Sequence, residues 1–475
     1  MILKQFYLGC LAHASYMIAD EQSKTAAVVD PQRDIQQYIQ EADSHGWTIR
    51  YVFLTHFHAD FLAGHLELRD QTGAEICLGA KAQATYPFRA LNDGTSVEFG
   101  NVQLKALETP GHTPEGISLL VYDRAKSEKT PHAVLTGDTL FIGDVGRPDL
   151  MASVGITATE LASQLYDSLH NKLMKLPDET LVYPAHGAGS MCGRNLSSDT
   201  VSTIGQQRFE NYAVQPMTKQ EFISMVTQGQ PEAPSYFGYD AQLNKEEHAT
   251  LTESMKRSLQ SLTLSEVLDF RRRGAQVVDV RDPGDYERGH LLGSLNIGLD
   301  GKFATWAGII LDPEQPIVLI ADPGREAEAI TRLGRIGFDH VKGYLKSGMQ
   351  ALVDRSDLIR ETPRITASAL AAELCTTHPP AVLDVRTEKE WEDGHIENSL
   401  NIPLPHVRER QHEILPAKKI VVHCASGYRS AIAASLLEKA GNIEVIDLIG
   451  GYEAWEKIWG RHAGTPGTPS RACRV

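Results

Sequence analysis

The feature that most constrains this chain is an internal repeat in its second half. The segment DVRDPGDYERGHLLGSLNI at 279–297 returns as DVRTEKEWEDGHIENSLNI at 384–402, an offset of 384 − 279 = 105 residues. Each segment is followed by an apolar run and a loop, IVLIADPGREAEA at 317–329 and IVVHCASGYRSAIAA at 420–434. Self-similarity at a fixed spacing indicates two copies of one domain. The order strand, loop, helix in each copy predicts a parallel α/β sheet.

The length and the repeat together predict an α/β chain of about three folded domains. At 475 residues the chain is too long for one ordinary hydrophobic core. Short β-rich runs also alternate with helical or loop stretches before the repeat. The predicted boundaries are 1–210 for a first domain, 211–261 for a connecting segment with at least one helix, 262–355 and 363–461 for the two copies, and 462–475 for a flexible tail.

Composition indicates a soluble globular protein. Hydrophobic residues make up 42% of the chain, and the formal charge of 46 − 61 = −15 disfavours nucleic-acid binding. No apolar run reaches the length of a membrane span, and the N-terminus is too polar for a secretory signal, so a cytoplasmic location is expected. The scattered cysteines predict free thiols in a reducing compartment. They are Cys10, Cys77, Cys192, Cys375, Cys424 and Cys473.

A dense group of metal-binding residue types lies in THFHADFLAGH, residues 55–65. His56, His58 and Asp60 follow the apolar run YVFLT at alternate positions, where imidazole and carboxylate can converge on one cation. Polar residues at strand ends are where sheet-based folds place their chemistry. A capping or surface role explains one such histidine better than it explains the whole set. Three more candidates, in ETPGHTPEG and at the ends of HAVLTGD and TLVYPAH, are His112, Asp138 and His186.

Phe61 limits the number of metal ions that this motif can hold. A common two-metal version has histidine at this position, and a phenyl ring cannot coordinate a cation. His65, one helical turn further on, could replace it only with a different backbone path. One metal is therefore expected. Two imidazoles and a carboxylate with open positions suit non-haem Fe(II), and zinc would fit the same atoms.

The order HxHxD…H…D…H resembles the metallo-β-lactamase fold over about residues 1–210. The resemblance implies a four-layer αββα sandwich with metal at the strand ends. Carried over to this chain, the two sites of its two-metal members are His56, His58, His112 and Asp138 for one, and Asp60 and His186 for the other. Because Phe61 takes the place of the remaining ligand, the second of these sites is incomplete.

A narrower resemblance points to the persulfide dioxygenases, a glyoxalase II-like branch of this fold. It rests on THFHADFLAGH, TPGHTPEG, LTGDTLFIGDVGRPDL and YPAHGAGS. It implies one Fe(II) held by His56, His112 and Asp138. It also implies conversion of a low-molecular-weight persulfide, O2 and water to thiol and sulfite. The groups left to tune ligands and water through hydrogen bonds are His58, Asp60 and His186.

Two features bear on the substrate of such a site. Arg147, in GDVGRPD, is a candidate for binding an anionic substrate or the sulfite product, with bracing of its own loop as the alternative. Members that use glutathione carry an aromatic hydroxyl soon after the last histidine, whereas this chain reads AHGAGS. The identity of the thiol carrier therefore stays open. Cys192 and Cys473 are candidates for relaying sulfur.

The loop HCASGYRS, residues 423–430, places Cys424 between a strand-like run and an alanine-rich helix. Backbone N–H groups and the helix dipole favour a thiolate there, and Arg429 adds a fixed positive charge. Together with DVR, GH and SLNIP, this loop resembles the CxxGxR loop of the rhodanese domain. The resemblance implies sulfur transfer through a persulfide on Cys424.

The rhodanese resemblance also assigns roles around the loop. Ser426 and Gly427 would bind the anion together with Arg429, while Asp384 and Arg386 would brace the loop. In the first copy, alignment on the shared glycine puts Ala321 at the cysteine position, and no cysteine lies in 262–355. The first copy is therefore expected to carry no persulfide and to serve for packing or spacing.

The leading hypothesis is a fused persulfide dioxygenase and thiosulfate sulfurtransferase in sulfide detoxification. Its small-molecule partners would be a persulfide or thiol, O2, sulfite and thiosulfate, and a homo-oligomer is a family-level expectation. The alternative is a metallo-hydrolase, a thioesterase resembling glyoxalase II, fused to a sulfurtransferase or sulfur-carrier domain. A third hypothesis is a non-catalytic sulfur carrier or redox sensor with a structural metal.

Overall fold

The computed structural model describes residues 1–150, 155–230, 232–414, 419–441 and 444–460. It forms two compact units, one of residues 1–254 with 333–338, and one of residues 255–332 with those from 339 onward. The predicted tail at 462–475, with Cys473, lies outside the described residues. Among the residues that are described, no helix has both the length and the apolar character needed to cross a bilayer.

Two six-stranded sheets form the centre of the first unit. The first sheet contains, in spatial order, β1 (Ile2–Leu8), β2 (His13–Asp20), β3 (Thr25–Val29), β4 (Thr48–Phe53), β5 (Glu75–Gly79) and β6 (Arg89–Leu91). The second contains β7 (Ser96–Phe99), β8 (Val102–Glu108), β9 (Ile117–Asp123), β10 (Ala133–Gly137), β11 (Leu181–Pro184) and β12 (Ser202–Thr203), in the same order as in the chain. The helices of the first unit are α1 (Gln36–His45), α2 (His65–Thr72), α3 (Ala158–Asn171), α4 (Ile204–Glu210), α5 (Lys219–Thr227) and α6 (Phe237–Leu243), and α7 (Leu251–Ser258) crosses its boundary.

Alternate side chains of the strands fill two separate cores. In β9, Leu119 and Val121 point into the core between the sheets, whereas Leu120 joins a second core with Leu165 and Leu169 of α3. This is the period of two that a strand buried on both faces produces. Helices α1 and α2 pack on β4 at the other side. The predicted αββα sandwich is therefore confirmed.

The stretch that was predicted as a connecting segment is part of this sandwich as far as residue 254. Helix α5 begins with a capping box, in which Thr218 and Glu221 each accept a hydrogen bond from the other's backbone N–H. Its apolar face places Phe222 and Val226 in the core with α3. These residues belong to no sequence motif, so their role in the core can be recognised only from the structure.

Parallel strands bring the metal-binding residue types to one edge of each sheet. Strand β3 pairs with β4 in parallel, and β10 pairs with β11 in parallel. Residues that follow these strands therefore emerge side by side. Gly137 ends β10 with a φ of +52°, and a Cβ there would lie 2.5 Å from the Thr55 hydroxyl. Glycine thus allows the two sheet edges to approach closely.

The second unit contains two parallel five-stranded sheets with the same strand order. The elements of the first copy are β13 (Ser261–Leu262), α8 (Leu264–Arg272), β14 (Gln276–Asp279), α9 (Pro283–Arg288), β15 (His290–Leu291), β16 (Leu295–Asn296), α10 (Phe303–Ile310), β17 (Ile317–Ile320), α11 (Glu326–Gly334) and β18 (Val341–Leu345). After β19 (Ile359–Arg360), which pairs with β15, those of the second copy are β20 (Arg364–Ile365), α12 (Ala367–Leu374), β21 (Ala381–Asp384), α13 (Glu388–Glu392), β22 (Leu400–Asn401), α14 (Gln411–Ile414), β23 (Lys419–His423), α15 (Tyr428–Ala440), β24 (Glu444–Leu448) and α16 (Gly451–Trp459). The expected parallel α/β repeat is confirmed.

Helix α15, which follows the Cys424 loop, is enclosed by both copies. It packs on β23 and β24 of its own copy and on α9 and β16 of the other. Every side chain from 430 to 437 is buried, which explains the alanine-rich sequence, since small residues let several elements approach one helix. Ser435 Oγ accepts a hydrogen bond from the Asn296 N–H at 3.1 Å across this contact.

The expectation of free thiols holds for only part of the cysteine set. Cys10, Cys77, Cys192 and Cys424 are free. Cys375 is disulfide-bonded and exposed, so the prediction of a free thiol is wrong for this residue. Cys375 directly follows α12, whose buried residues are Ala367, Leu370 and Ala371.

Candidate metal centre and sulfur-transfer loop

Three of the predicted ligands converge in the first unit. Ligand atoms of His56, His112 and Asp138 all lie within 4.8 Å of one another, and all three residues are buried. The Nε2 atoms of His56 and His112 lie 3.8 and 3.4 Å from Asp138 Oδ2. The three residues come from the loop after β4, the loop between β8 and β9, and the end of β10, so only the folded sandwich brings them together.

The electrostatics of this cluster fit a divalent cation. Among the described residues, no N–H or O–H group donates to either oxygen of Asp138. Burial raises the pKa of Asp138 well above its ordinary value, lowers that of His112 to about 4 and lowers that of His56 well below its ordinary value. The imidazoles are therefore neutral and offer lone pairs. A bound cation would supply the positive counter-charge that the buried Asp138 carboxylate needs.

Hydrogen bonds behind the ligands fix which ring nitrogen faces the centre. Thr55 donates its hydroxyl to Asp30 Oδ2 at 2.9 Å, so its oxygen is left to accept from His56 Nδ1 at 3.0 Å. His112 Nδ1 donates to the Arg147 carbonyl at 2.9 Å. Both Nε2 lone pairs are thereby directed to Asp138. Asp30 was not singled out, although it ends the run AAVVD as Asp138 ends HAVLTGD.

The three residues that were predicted to tune the ligands form a second cluster. Ligand atoms of His58, Asp60 and His186 also lie within 4.8 Å of one another. His186 Nε2 lies 3.4 Å from Asp60 Oδ2, and burial raises the pKa of Asp60 to about 6. His58 Nε2 lies 3.0 Å from Asp30 Oδ1. The cluster borders the first one, because His186 is also 3.7 Å from Asp138 Oδ1.

Phe61 closes one side of the second cluster. Its ring centroid lies 4.4 Å from that of His58 and 4.0 Å from that of His13, and only 2% of the residue is exposed. His65 lies in neither cluster: it starts α2 and packs 5.0 Å from the Tyr86 ring. A replacement of the missing ligand by His65 is therefore not supported by the described residues.

The Cys424 loop in the second unit holds the sulfur at a helix N-terminus. The Gly427 N–H donates to Cys424 Sγ at 3.2 Å, and Gly427 adopts a φ of +121° immediately before α15. Cys424 is buried, whereas Ser426 is exposed at the tip of the loop. Ser430, which was not predicted, lies 3.8 Å from the sulfur with its hydroxyl oxygen.

Charged side chains support this loop from two directions. Arg429 forms a two-point ion pair with Glu390, with both distances 2.7 Å. Asp384 and Arg386 form a buried pair at 2.6 Å, and Arg386 also donates to the Gly394 carbonyl at 2.7 Å. These hydrogen bonds of the Arg386 guanidinium go to Asp384 and to the loop backbone, and the bracing role stays a prediction.

Comparison with known proteins identifies both units. The model for the "Metallo-beta-lactamase superfamily" matches residues 8–186, and the model for the "Rhodanese-like domain" matches 263–354 and 366–458. A solved metallo-beta-lactamase from Staphylococcus aureus subsp. aureus COL is 31% identical, with a TM-score of 0.65 over 72% of this chain and 98% of that chain. The chain belongs to the metallo-beta-lactamase superfamily. Two rhodanese-like domains follow its metallo-beta-lactamase domain.

Relatives of the metallo-beta-lactamase domain carry two different activities in their names. Persulfide dioxygenase ETHE1, mitochondrial, of Homo sapiens is 28% identical over 231 residues, 48% of this chain and 80% of that protein. The hydroxyacylglutathione hydrolase of Rhodospirillum rubrum is 29% identical over 231 residues, with the same two coverages. The cytoplasmic hydroxyacylglutathione hydrolase of Arabidopsis thaliana is 33% identical over 187 residues, 39% of this chain and 67% of that protein.

Arg147 of the metallo-beta-lactamase domain braces its loop. The residue is 1% exposed, and its guanidinium pairs with Asp149 at 2.7 and 2.8 Å. It also donates to the Met191 carbonyl, while its own carbonyl accepts from His112. The geometry favours the bracing alternative over direct contact of the side chain with a substrate.

Asn244 holds the metal-binding loop from the far end of the same domain. Its Nδ2 donates to the carbonyls of His58 and Phe61 at 2.8 Å, and its Oδ1 accepts from the Ala63 N–H at 2.9 Å. The residue is fully buried. It lies 186 positions from His58 in the chain and belongs to no motif, so no signal in the sequence pointed to it.

Cys192 faces the metal-binding cluster. Its sulfur and ligand atoms of Asp138 and His186 lie within 4.8 Å of one another, and all three residues are buried. Burial raises the pKa of Cys192 well above its ordinary value, and the charges of Asp60 and Asp138 add to this. The neutral thiol is therefore the stable form in this environment, which does not favour a nucleophilic relay.

Proposed function

We propose that this chain is a non-haem Fe(II) persulfide dioxygenase coupled to a rhodanese-type sulfurtransferase. The observation that carries the metal assignment is the cluster of His56, His112 and Asp138, where two neutral imidazoles face a carboxylate with no N–H or O–H donor among the described residues. Two histidines and a carboxylate suit Fe(II). The similarity to persulfide dioxygenase ETHE1 supports the choice of reaction.

The protein side chains would bind and orient, and a ferrous ion would supply the redox chemistry that they lack. Thr55 and the Arg147 carbonyl keep the Nε2 atoms of His56 and His112 aimed at the centre. Phe61 provides an apolar wall at the neighbouring cluster and limits the entry of water. The substrates would be a low-molecular-weight persulfide and O2, and the products thiol and sulfite.

The rhodanese-like half would then move sulfane sulfur. The Cys424 thiolate attacks the outer sulfur of a persulfide, which forms a persulfide on Cys424 and releases the thiolate of the carrier. Sulfite attacks that outer sulfur, which breaks its bond to Cys424, releases thiosulfate and restores the thiolate. The Gly427 N–H would stabilise the anionic sulfur at both stages. Fusion of the two activities keeps the intermediate local, which suits detoxification of sulfide in the cytoplasm.

Oxygen uptake tests the oxygenase assignment. The chain is reconstituted with Fe(II) without oxygen and then mixed with glutathione persulfide or cysteine persulfide. Uptake of O2 with formation of sulfite is expected, together with its loss in His112→Ala. The matched control is Cys424→Ser, which should still consume O2. No uptake by the iron-loaded chain with either persulfide would refute the assignment.

A thioesterase is the second candidate function. It is favoured by the cluster of His58, Asp60 and His186 beside the first one, and by the similarity to hydroxyacylglutathione hydrolases. Two bound zinc ions per chain and cleavage of a glutathione thioester would support it. The persulfide dioxygenase proposal expects one metal ion instead, and it expects Phe61→His to raise the metal content and lower O2 uptake.

A further inference from the structure

Residues 333–338 lie in the first rhodanese-like domain by sequence but pack in the first unit. The rhodanese-like match covers 263–354, whereas this segment belongs to the compact unit that residues 1–254 form. Its sequence, LGRIGF, contains no metal-binding residue type, so any role at the metal centre depends on its contacts. Its buried apolar side chains are Leu333, Ile336 and Phe338.

The segment contacts the metal-binding loop, residues 55–65. The Arg335 carbonyl accepts a hydrogen bond from the Leu62 N–H at 2.8 Å. Leu62 is fully buried and directly follows Phe61, so its N–H needs a partner within the protein. Asn244 holds the same stretch through three other backbone groups. Two separate parts of the chain therefore fix the backbone of this loop.

A second set of contacts reaches the loop after β3, residues 30–35. Arg33, which is 1% exposed, donates to the Gly334 carbonyl. Asp34 forms a two-point ion pair with Arg335, with distances of 2.9 and 2.8 Å. A guanidinium and a carboxylate in this arrangement fix direction as well as distance. The segment is thereby held by two consecutive residues of this loop.

The loop after β3 in turn supports a metal ligand. Asp30, at its start, accepts from the Thr55 N–H at 2.7 Å and from the Thr55 hydroxyl at 2.9 Å. Thr55 accepts from His56 Nδ1, which leaves the other ring nitrogen for the centre. The Gly64 N–H also donates to the Pro31 carbonyl at 3.0 Å. The two loops are therefore joined to each other as well as to the segment.

Arg335 also contacts the turn between β1 and β2. Its Nη1 donates to Cys10 Sγ at 3.6 Å. In the same turn, the Ala12 carbonyl accepts from His186 Nδ1 at 3.2 Å. One guanidinium therefore joins the two loops that support His56 and His186, and the five donors of arginine allow both contacts at once.

We propose that segment 333–338 is part of the support of the metal centre, with Arg335 as a positioning residue that keeps the surrounding loops aligned and slows release of the cation. The proposal rests on the proposed function, in which His56, His112 and Asp138 hold that cation. It gives the copy without a nucleophile a role at the metal centre, beyond packing or spacing.

The test is the rate at which Fe(II) leaves the reconstituted full chain, without oxygen, for ferrozine, a chelator that becomes coloured when it binds Fe(II). Arg335→Ala should shorten the half-time of release about tenfold, the lower end of the effect of residues that orient metal ligands. Asp34→Asn, which removes the charge opposite Arg335, should shorten it at least about threefold. The double variant should release iron no faster than the faster single variant, because the same ion pair is lost in each.

The matched control is Arg332→Ala, which removes a buried arginine three residues earlier, in α11. The Arg332 guanidinium donates to the carbonyls of Leu299 and Gly301 instead. Its loss should lower the stability of the chain but leave the half-time of iron release within about twofold. The control thus separates loss of a buried arginine from loss of the contacts that hold the loops.

An unchanged half-time in folded Arg335→Ala, an equal change in Arg332→Ala, or additive effects in the double variant would overturn the proposal. If Arg335→Ala does not fold, Asp34→Asn decides in its place: faster release supports the proposal, and an unchanged rate refutes it. Failure of the unmodified chain to bind Fe(II), or full retention of iron by His112→Ala, would instead refute the metal assignment on which the proposal rests.

Discussion

The two rhodanese-like copies share a scaffold and differ in their loops. In both, an aspartate at the end of a strand pairs with an arginine two residues later: Asp279 with Arg281 at 2.7 Å, and Asp384 with Arg386 at 2.6 Å. Each arginine also donates to a glycine carbonyl eight residues further on. This brace is retained in the copy without a nucleophile, so its role in both copies is to hold the strand end.

The loops explain why only one copy can carry sulfur. Ala321 is buried where the other copy has Cys424. The arginine of the first loop, Arg325, pairs with Asp300 at 2.9 and 3.0 Å, and Glu326 stands at the position of Arg429. A loop with a glutamate at this position would repel an anionic sulfur. The scaffold therefore survives without the chemistry, and the chemistry depends on a few side chains added to it.

Loss of the Cys424 thiol should lower sulfur transfer more than any other change that distinguishes the two copies. Cys424→Ser is expected to lower thiosulfate formation from a persulfide and sulfite by at least about 10³-fold, because the hydroxyl is a far weaker nucleophile. The matched change in the first copy, Ala321→Ser, should leave the rate per folded molecule within about twofold, because the position carries no nucleophile in the unmodified chain. Equal losses in the two variants would contradict the assignment of Cys424.

Removal of the brace should affect both copies alike. Asp279→Asn and Asp384→Asn each leave a buried arginine without its counter-charge, which costs about 3–5 kcal/mol. Urea unfolding of the two variants should show similar losses of stability. Sulfur transfer per folded molecule should stay close to normal in both. A selective loss in folded Asp384→Asn would instead give Asp384 a part in the reaction.

Addition of a thiol to the first copy should restore little. In Cys424→Ser with Ala321→Cys, thiosulfate formation should reach no more than roughly one per cent of normal. The first loop lacks two contacts to the sulfur anion, and each missing contact costs about tenfold in rate. Rates are measured against Cys424→Ser alone. Recovery to about a tenth or more of the normal rate would mean that the first loop still binds the sulfur anion.

The smallest effect should come from the ion pair beside the reactive loop. Glu390→Gln keeps the capping interaction with Thr387 but loses the charge opposite Arg429, which costs about 0.5 kcal/mol. The Arg429 guanidinium and the Thr387 hydrogen bonds oppose the effect of burial and lower the pKa of Glu390 to about 2. Because the folded pKa is below the ordinary value, the stabilisation is present above about pH 4.5 and is lost as the pH falls toward 2. The urea midpoints of Glu390→Gln and of the unmodified chain should converge as the pH falls from about 6 to about 3. A constant difference between the two midpoints would argue against the ion pair.

The residues of the metal centre could be predicted from the sequence, whereas the residues that support the sites could not. His56 and Asp138 follow apolar runs in the chain, and His112 lies in a turn shaped by glycine and proline, so these patterns are visible without a structure. Asn244 and Ser430 act through contacts that depend on how helices and loops pack. Neither residue type is unusual at its position in the sequence, so only the distances from the sites reveal them.

The sequence by itself determined the α/β class, the two copies, the candidate ligands and the difference between Cys424 and Ala321. These follow from local patterns, namely strand periodicity, repeated motifs and residue chemistry. Tertiary structure alone decided that Arg147 is buried in an ion pair, that His58 lies against Asp30, and that Tyr428 of the reactive loop donates to the Gly298 carbonyl of the other copy. Packing decides such pairings, whether the partners are close together or far apart in the chain. Burial then sets the charge of titratable partners, because a group's protonation depends on the neighbours that replace water.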